Sequence, residues 1–241
     1  MAIRFWVLVL ATAGVGYSQG KDMSDTTKQA LFIEAVQAGD EEGVKRMLGE
    51  DSSLAGATNK QGVSAILLSL YYRQSGVTPL LQAVGLDLNV YEASAVGDTG
   101  AVEALLDSDT TLLDTPAPDG FTALGLAAFF GREETARALV KRGANVNFAS
   151  SNSQKVAPLH SAAAGGHTAI AELLLENGAD PNLRQEAGYV ALHSAAMNGN
   201  LALVELLLRN GADPSIEGPD GVTATGLASK GGHAQIVELL N

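Results

Sequence analysis

The chain repeats one phrase at a fixed interval, and that repetition limits what it can fold into more than any other feature. TALGLAAFFG at 122–131, APLHSAAAGG at 157–166, VALHSAAMNG at 190–199 and TATGLASKGG at 223–232 are four versions of one block. The first three lead into a second block: ARALVKRGAN at 136–145, AELLLENGAD at 171–180 and VELLLRNGAD at 204–213. The glycines that close the first block, Gly131, Gly166, Gly199 and Gly232, lie 35, 33 and 33 residues apart, and Gly143, Gly178 and Gly211 keep step with them. A unit of that length is too small to bury its apolar face alone, so copies must stack on one another.

Each recurring residue has a mechanical reason to recur. Thr122 and Thr223 can cap the first helix through their hydroxyls, and Pro158 suits the first helical turn, where no N–H partner is needed. Leu124, Leu159 and Leu192 are expected to pack between units. The alanine pairs 127–128, 162–163 and 195–196 let neighbouring helices approach closely. Ile170, Leu173 and Leu174, and again Leu203, Leu206 and Leu207, form the i, i+3, i+4 stripe of a buried helix face. Glycine at 131, 166 and 199 can take the left-handed conformation that ends a helix.

A period near 33 with a phrase of the T-P-L-H-x-A kind resembles the ankyrin repeat. The resemblance implies an α-helical repeat solenoid of helix-turn-helix units with β-hairpin fingers, about seven units including caps. Fingers and first helices would line a concave face, with second helices behind.

The N-terminal half keeps the register and loses the phrase. Gly39, Val44, Leu48, Asp51, Leu54 and Gly62 recur 58 residues later as Gly97, Val102, Leu106, Asp109, Leu112 and Gly120. From Gly62 to Gly85 takes 23 residues, the interval of Gly120 to Gly143, so that unit is complete. From Gly85 to Gly97 takes only 12, against 21 from Gly178 to Gly199, so nine residues are missing, about one finger and turn. The expected organisation is 1–20 a signal peptide, 21–57 an N-terminal capping repeat, 58–116 degenerate units lacking one finger, 117–217 three regular repeats, and 218–241 a truncated C-terminal cap.

Residues 1–20 hold one base, Arg4, then an apolar run from Phe5 to Val15, then small and polar residues. That is the layout of a secretory signal, and the run is too short to span a membrane. On this reading the protein is exported, periplasmic or secreted, and resembles bacterial periplasmic ankyrin proteins. Met23 offers a second start, which would leave the protein cytoplasmic.

The sequence of 241 residues carries a formal charge of −12 and no cysteine. An acidic body repels a phosphate backbone, so a nucleic-acid partner is not expected, and thiol chemistry and cysteine-ligated zinc are excluded. The four histidines lack His-x-x-x-His spacing. His160 and His193 hold one phrase position, and His167 and His233 follow closing glycines, so all four are expected to be structural. No catalytic residue, cofactor or metal is expected.

Carried over by register from the family, partner contacts fall before each closing glycine and on the fingers. This gives Tyr71, Tyr72, Phe121, Phe129, Phe130, Val156, Tyr189, Met197 and Asn198 as partner-binding candidates. The large aromatics among them are Tyr71, Tyr72, Phe121, Phe129, Phe130 and Tyr189, and five of the six lie on the N-terminal side, as befits interface anchors. They would equally serve to fill the space of a missing finger. The expected function is a monomeric, non-catalytic module binding another protein through its concave face. The alternative is an inhibitor or immunity-like protein that occludes a partner enzyme's active site.

Overall fold

The computed structural model describes residues 24–241. Both readings of the N-terminus, export signal and start at Met23, fall outside them. Among the described residues there are fourteen α-helices and no strand, arranged as seven helix pairs. None of these helices is long and apolar enough to cross a membrane. The described residues divide into two compact units, 24–87 and Leu88–Asn241. The division lies between Gly85 and Gly97, in the interval that is nine residues short.

In the first unit, α1 (Asp25–Ala38) and α2 (Glu41–Glu50) form one pair, and α3 (Ala65–Tyr71) and α4 (Val77–Gln82) the next. α1 packs on α3 and α2 on α4. Phe32, Val36, Val44, Ile66, Leu68 and Leu81 are buried between them. Between the pairs a short finger turns at Asn59–Val63, where the Asn59 N–H donates to the Val63 carbonyl at 2.9 Å. Arg73 stands where most other pairs carry the closing glycine, and it is held left-handed at φ 57°.

The second unit opens without a finger. Asn89 caps α5 (Val90–Val96) by accepting from the N–H groups of Tyr91 and Glu92, while Glu92 accepts from the Asn89 N–H at 2.9 Å. This reciprocal cap satisfies the helix start locally, so no preceding turn is needed. α6 (Thr99–Ser108) completes the pair. The remaining pairs are α7 (Ala123–Phe129) with α8 (Glu133–Lys141), α9 (Pro158–Gly165) with α10 (Thr168–Glu176), α11 (Ala191–Met197) with α12 (Leu201–Arg209), and α13 (Ala224–Gly231) with α14 (Ala234–Leu240).

First helices pack in the series α5, α7, α9, α11, α13, and second helices in the series α6, α8, α10, α12, α14. One apolar cluster follows both series from Val90 to Ile236. Leu124, Leu159 and Leu192 are at most 2% exposed, and the alanine pairs 127–128, 162–163 and 195–196 are fully enclosed. Each buried leucine contributes roughly 1.5–3 kcal/mol by leaving water, and alanine supplies the close approach between backbones. Thr122 and Thr223 cap α7 and α13 as expected, each accepting an N–H at 3.1 Å.

The fingers are tighter than β-hairpins. Ala117 donates to Phe121 at 2.8 Å, Gln185 to Tyr189 at 3.0 Å and Gly218 to Val222 at 2.7 Å, so one antiparallel bond closes each turn. At the outer turns a second set of contacts joins successive units. Asn147 donates to the Gly178 carbonyl and accepts from the Asp180 N–H, and Asn182 repeats this with Gly211 and Asp213. Asp114, in the same register, accepts from the Asn145 N–H at 3.0 Å.

Candidate protein-binding surface

The surface before the closing glycines is shaped by the side chain that follows each glycine. That side chain reaches back one unit to the end of the preceding first helix, whose last carbonyls have no partner within the helix. Gln74 reaches Gln37 at 2.8 Å, Arg132 reaches Ala95 at 2.8 Å, His167 reaches Phe129 at 3.1 Å, Asn200 reaches Gly166 at 3.2 Å and His233 reaches Met197 at 3.3 Å. In the α5–α6 pair the position is Asp98, which has no proton to donate and instead caps α6 through the Ala101 N–H.

The identity of this reaching residue fixes what stands two residues before it. His167 and His233 lie over Gly165 and Gly231, where an added Cβ would meet the imidazole at 2.6 Å. A Cβ on Gly165 would also meet the Phe129 carbonyl oxygen at 2.7 Å. Arg132 and Asn200 come with Phe130 and Asn198 at that position. The histidine units are therefore notched and the others raised.

Phe129 and Phe130 form the first raised site. Both are half-buried, with ring centroids 5.1 Å apart and planes at 80°, an edge-to-face arrangement favoured by the ring quadrupoles. Ala164 and exposed Gly165 follow as a notch, and half-buried Met197 with exposed Asn198 as the next rise. The Asn198 amide is not idle, since it donates to the carbonyls of Ala163 and Ala164 at 3.2 Å. Tyr71 and Tyr72 are half-buried in the first unit, and burial raises the Tyr72 phenol.

The finger candidates divide. Phe121 is half-buried, its N–H donating to Asp119 at 3.2 Å. Tyr189 is half-buried and wedged: its ring meets His193 edge-on at 5.2 Å and closes against Gly218, where a Cβ would lie 2.8 Å from it. Val156 is a correction. It is 4% exposed and unavailable to a partner. Its finger is two residues longer than its neighbours and is bonded to both of them, Ser151 to Gly120 and Glu186 to Gln154, which encloses the short side chain.

The four histidines are structural, as the register implied. His160 accepts from the Ala157 N–H at 3.3 Å and donates to Leu183 at 2.8 Å; His193 accepts from Val190 at 3.2 Å and donates to Val222 at 3.1 Å. Burial lowers the proton affinity of His160, His167 and His193. Among the described residues no group of three or more His, Asp or Glu is placed to hold a metal ion. The asparagine bridges of the outer turns and the reaching role of Arg132 were not read from the sequence. Asn147 and Asn182, 35 residues apart beside a Gly-Ala-Asn/Asp turn, were the available signal.

Family comparison agrees with this geometry. The ankyrin repeats family (3 copies) matches residues 90–185 and 186–241. The chain belongs to the ankyrin-repeat family. An ankyrin repeat and KH domain-containing protein of Caenorhabditis briggsae is 44% identical over 61 residues, 25% of this chain and 2% of that protein. The E3 ubiquitin-protein ligase Ufd4 of Drosophila melanogaster is 36% identical over 91 residues, 38% of this chain and 3% of the ligase. The likeness is thus to a small part of much longer proteins. Ankyrin repeats generally mediate protein–protein interaction.

Proposed function

We propose that the ankyrin repeats of residues 88–241 hold a partner protein against the face made by fingers and first helices, with Phe129 and Phe130 as the anchor. The observation that carries this reading is the half-buried aromatic pair at the end of α7, next to the notch at Ala164–Gly165. A raised aromatic pair beside a bare backbone step offers both an anchor and a recess to a partner side chain. The family's general role in protein binding supports the same reading. The test is capture by the full chain and by its Phe129→Ser/Phe130→Ser variant, with thermal unfolding measured in parallel. Loss of capture with a nearly unchanged midpoint is expected. A collapse in the midpoint would return both rings to the core and sink the proposal.

A second reading, occlusion of a partner enzyme, is favoured by charge. Between 88 and 241 eighteen acidic residues face eight basic ones. Six of the eight are already engaged: Arg132 and Arg184 on carbonyls, and Arg137, Arg142, Lys155 and Arg209 in ion pairs. Such a surface suits a basic partner, and its signature is binding that weakens steeply with salt.

A further inference from the structure

We propose that protonation of His160 and His193 uncouples the repeats of residues 152–241 from one another, so that mild acid opens this part of the chain while residues 24–87 stay closed. Both imidazoles use both nitrogens. Nδ1 accepts an N–H from the start of the histidine's own helix, Ala157 at 3.3 Å and Val190 at 3.2 Å. Nε2 donates to the finger of the following unit, Leu183 at 2.8 Å and Val222 at 3.1 Å. Only the neutral ring with its proton on Nε2 satisfies this pair of bonds.

A second proton must go to Nδ1, where it would face a backbone N–H. The accepting bond is then lost, a buried donor is orphaned, and a charge sits in a site 5% exposed for His160 and 2% for His193. Each consequence opposes the closed arrangement of finger and helix. The neighbours do not rescue the charge. Around His160 burial outweighs the groups that favour the proton, the backbone of Leu183, Tyr189 and Ala157 and then the Asp180 carboxylate. Around His193 the Arg184 guanidinium opposes the proton, and the Tyr189 ring closes one side at 5.2 Å. His167 and His233 differ, since each bond they make to the preceding unit is a donation from Nε2, which a cation retains.

The sign follows from linkage. The folded rings bind protons less readily than the unfolded ones, whose ordinary value is 6.5. Stability of these repeats is therefore full above that value and falls as pH drops below it. Each histidine multiplies the opening equilibrium roughly tenfold per pH unit below the ordinary value while its folded form stays neutral. All four histidines lie at 160 or beyond, so residues 24–87 serve as an internal reference.

The test is amide exchange of the full chain between pH 7.5 and 5.0, corrected for intrinsic exchange, beside His160→Gln/His193→Gln. Glutamine can donate to the finger and cannot titrate. Opening of 152–241 should rise by one to two orders of magnitude toward pH 5, with 24–87 flat and the variant much less acid-sensitive, keeping only the dependence that His167 contributes through its own burial. A pH-independent opening of 152–241, or a variant as acid-sensitive as the parent, overturns the proposal. Should the variant not fold, titration of the imidazole carbons in the unmodified protein decides. Proton uptake at ordinary values without movement of the Leu183 and Val222 signals refutes it, and uptake coupled to their movement supports it.

Discussion

His167 donates through Nε2 to the carbonyl of Phe129, 38 residues earlier, at 3.1 Å. The bond ties the turn before α10 to the end of α7. One residue thus carries both a half-buried ring and a carbonyl that holds the next unit in register.

Glycine at 131 serves that bond as well as its own turn. Gly131 and Gly143 are both left-handed, at φ 71° and 90°. A Cβ on Gly131 would meet the His167 ring, whereas one on Gly143 would meet nothing within 4 Å. Gly143→Ala should cost about 1–2 kcal/mol from backbone conformation alone. Gly131→Ala should cost more in urea unfolding, and the excess should vanish when His167→Ala is added. Equal costs in the single variants would show that the ring yields freely.

Histidine after the closing glycine requires glycine two residues before itself, as at 165 and 231. Asn200→His alone should therefore destabilise the chain, because Asn198 carries a side chain where the ring must lie. Asn198→Gly/Asn200→His should recover much of the loss. Thermal midpoints of both variants check this, and a double variant no better than the single one refutes the coupling.

Asn182 bridges two units by donating to Gly211 at 2.9 Å and accepting from the Asp213 N–H at 2.8 Å. Asn182→Ala should lower stability by about 1–2 kcal/mol, two modest hydrogen bonds' worth at a largely exposed site. Amide exchange should accelerate at Asp213 ahead of the rest of the unit. Uniform acceleration would mean that the bridge has no local role.

Asp51, Asp109 and Asp213 each accept a hydroxyl and an amide from the residue two positions on, which holds their carboxyls below the ordinary 3.8. The folded carboxylates bind protons less readily than the unfolded ones. Their contribution is full above that ordinary value and is lost as pH falls through the lower folded one. Changing all three to Asn should lower the unfolding midpoint above pH 4, where their contribution is full, flatten its decline below pH 4, and leave its slope with pH near 6 unchanged.

Most of the frame was legible because the repeat is written in residues with one mechanical meaning each. Gly131, Gly166 and Gly199 are left-handed as read, and the alanine pairs are enclosed. The reaching position was not legible. Gln74, Arg132, His167, Asn200 and His233 share no chemistry beyond a proton to donate, so register alone reveals them as equivalent. Val156 was misplaced because its exposure depends on finger length and on bonds from both neighbouring fingers, which spacing does not express. The chemistry of a partner is not written in the repeat at all, since the residues that keep the period are the enclosed ones.

Between Leu88 and Asn241 nearly every tie joins a unit to the one beside it, from Arg132 on Ala95 to His233 on Met197. A tension applied to the two ends of that stretch would pass from unit to unit in series, each junction resting on its own small set of ties. The chain would then lengthen in steps of one repeat, about 110 Å of contour for some 33 residues, starting from whichever link is weakest. In mild acid, with His160 and His193 charged, that link would lie in the C-terminal repeats, and the same molecule would behave as a softer spring.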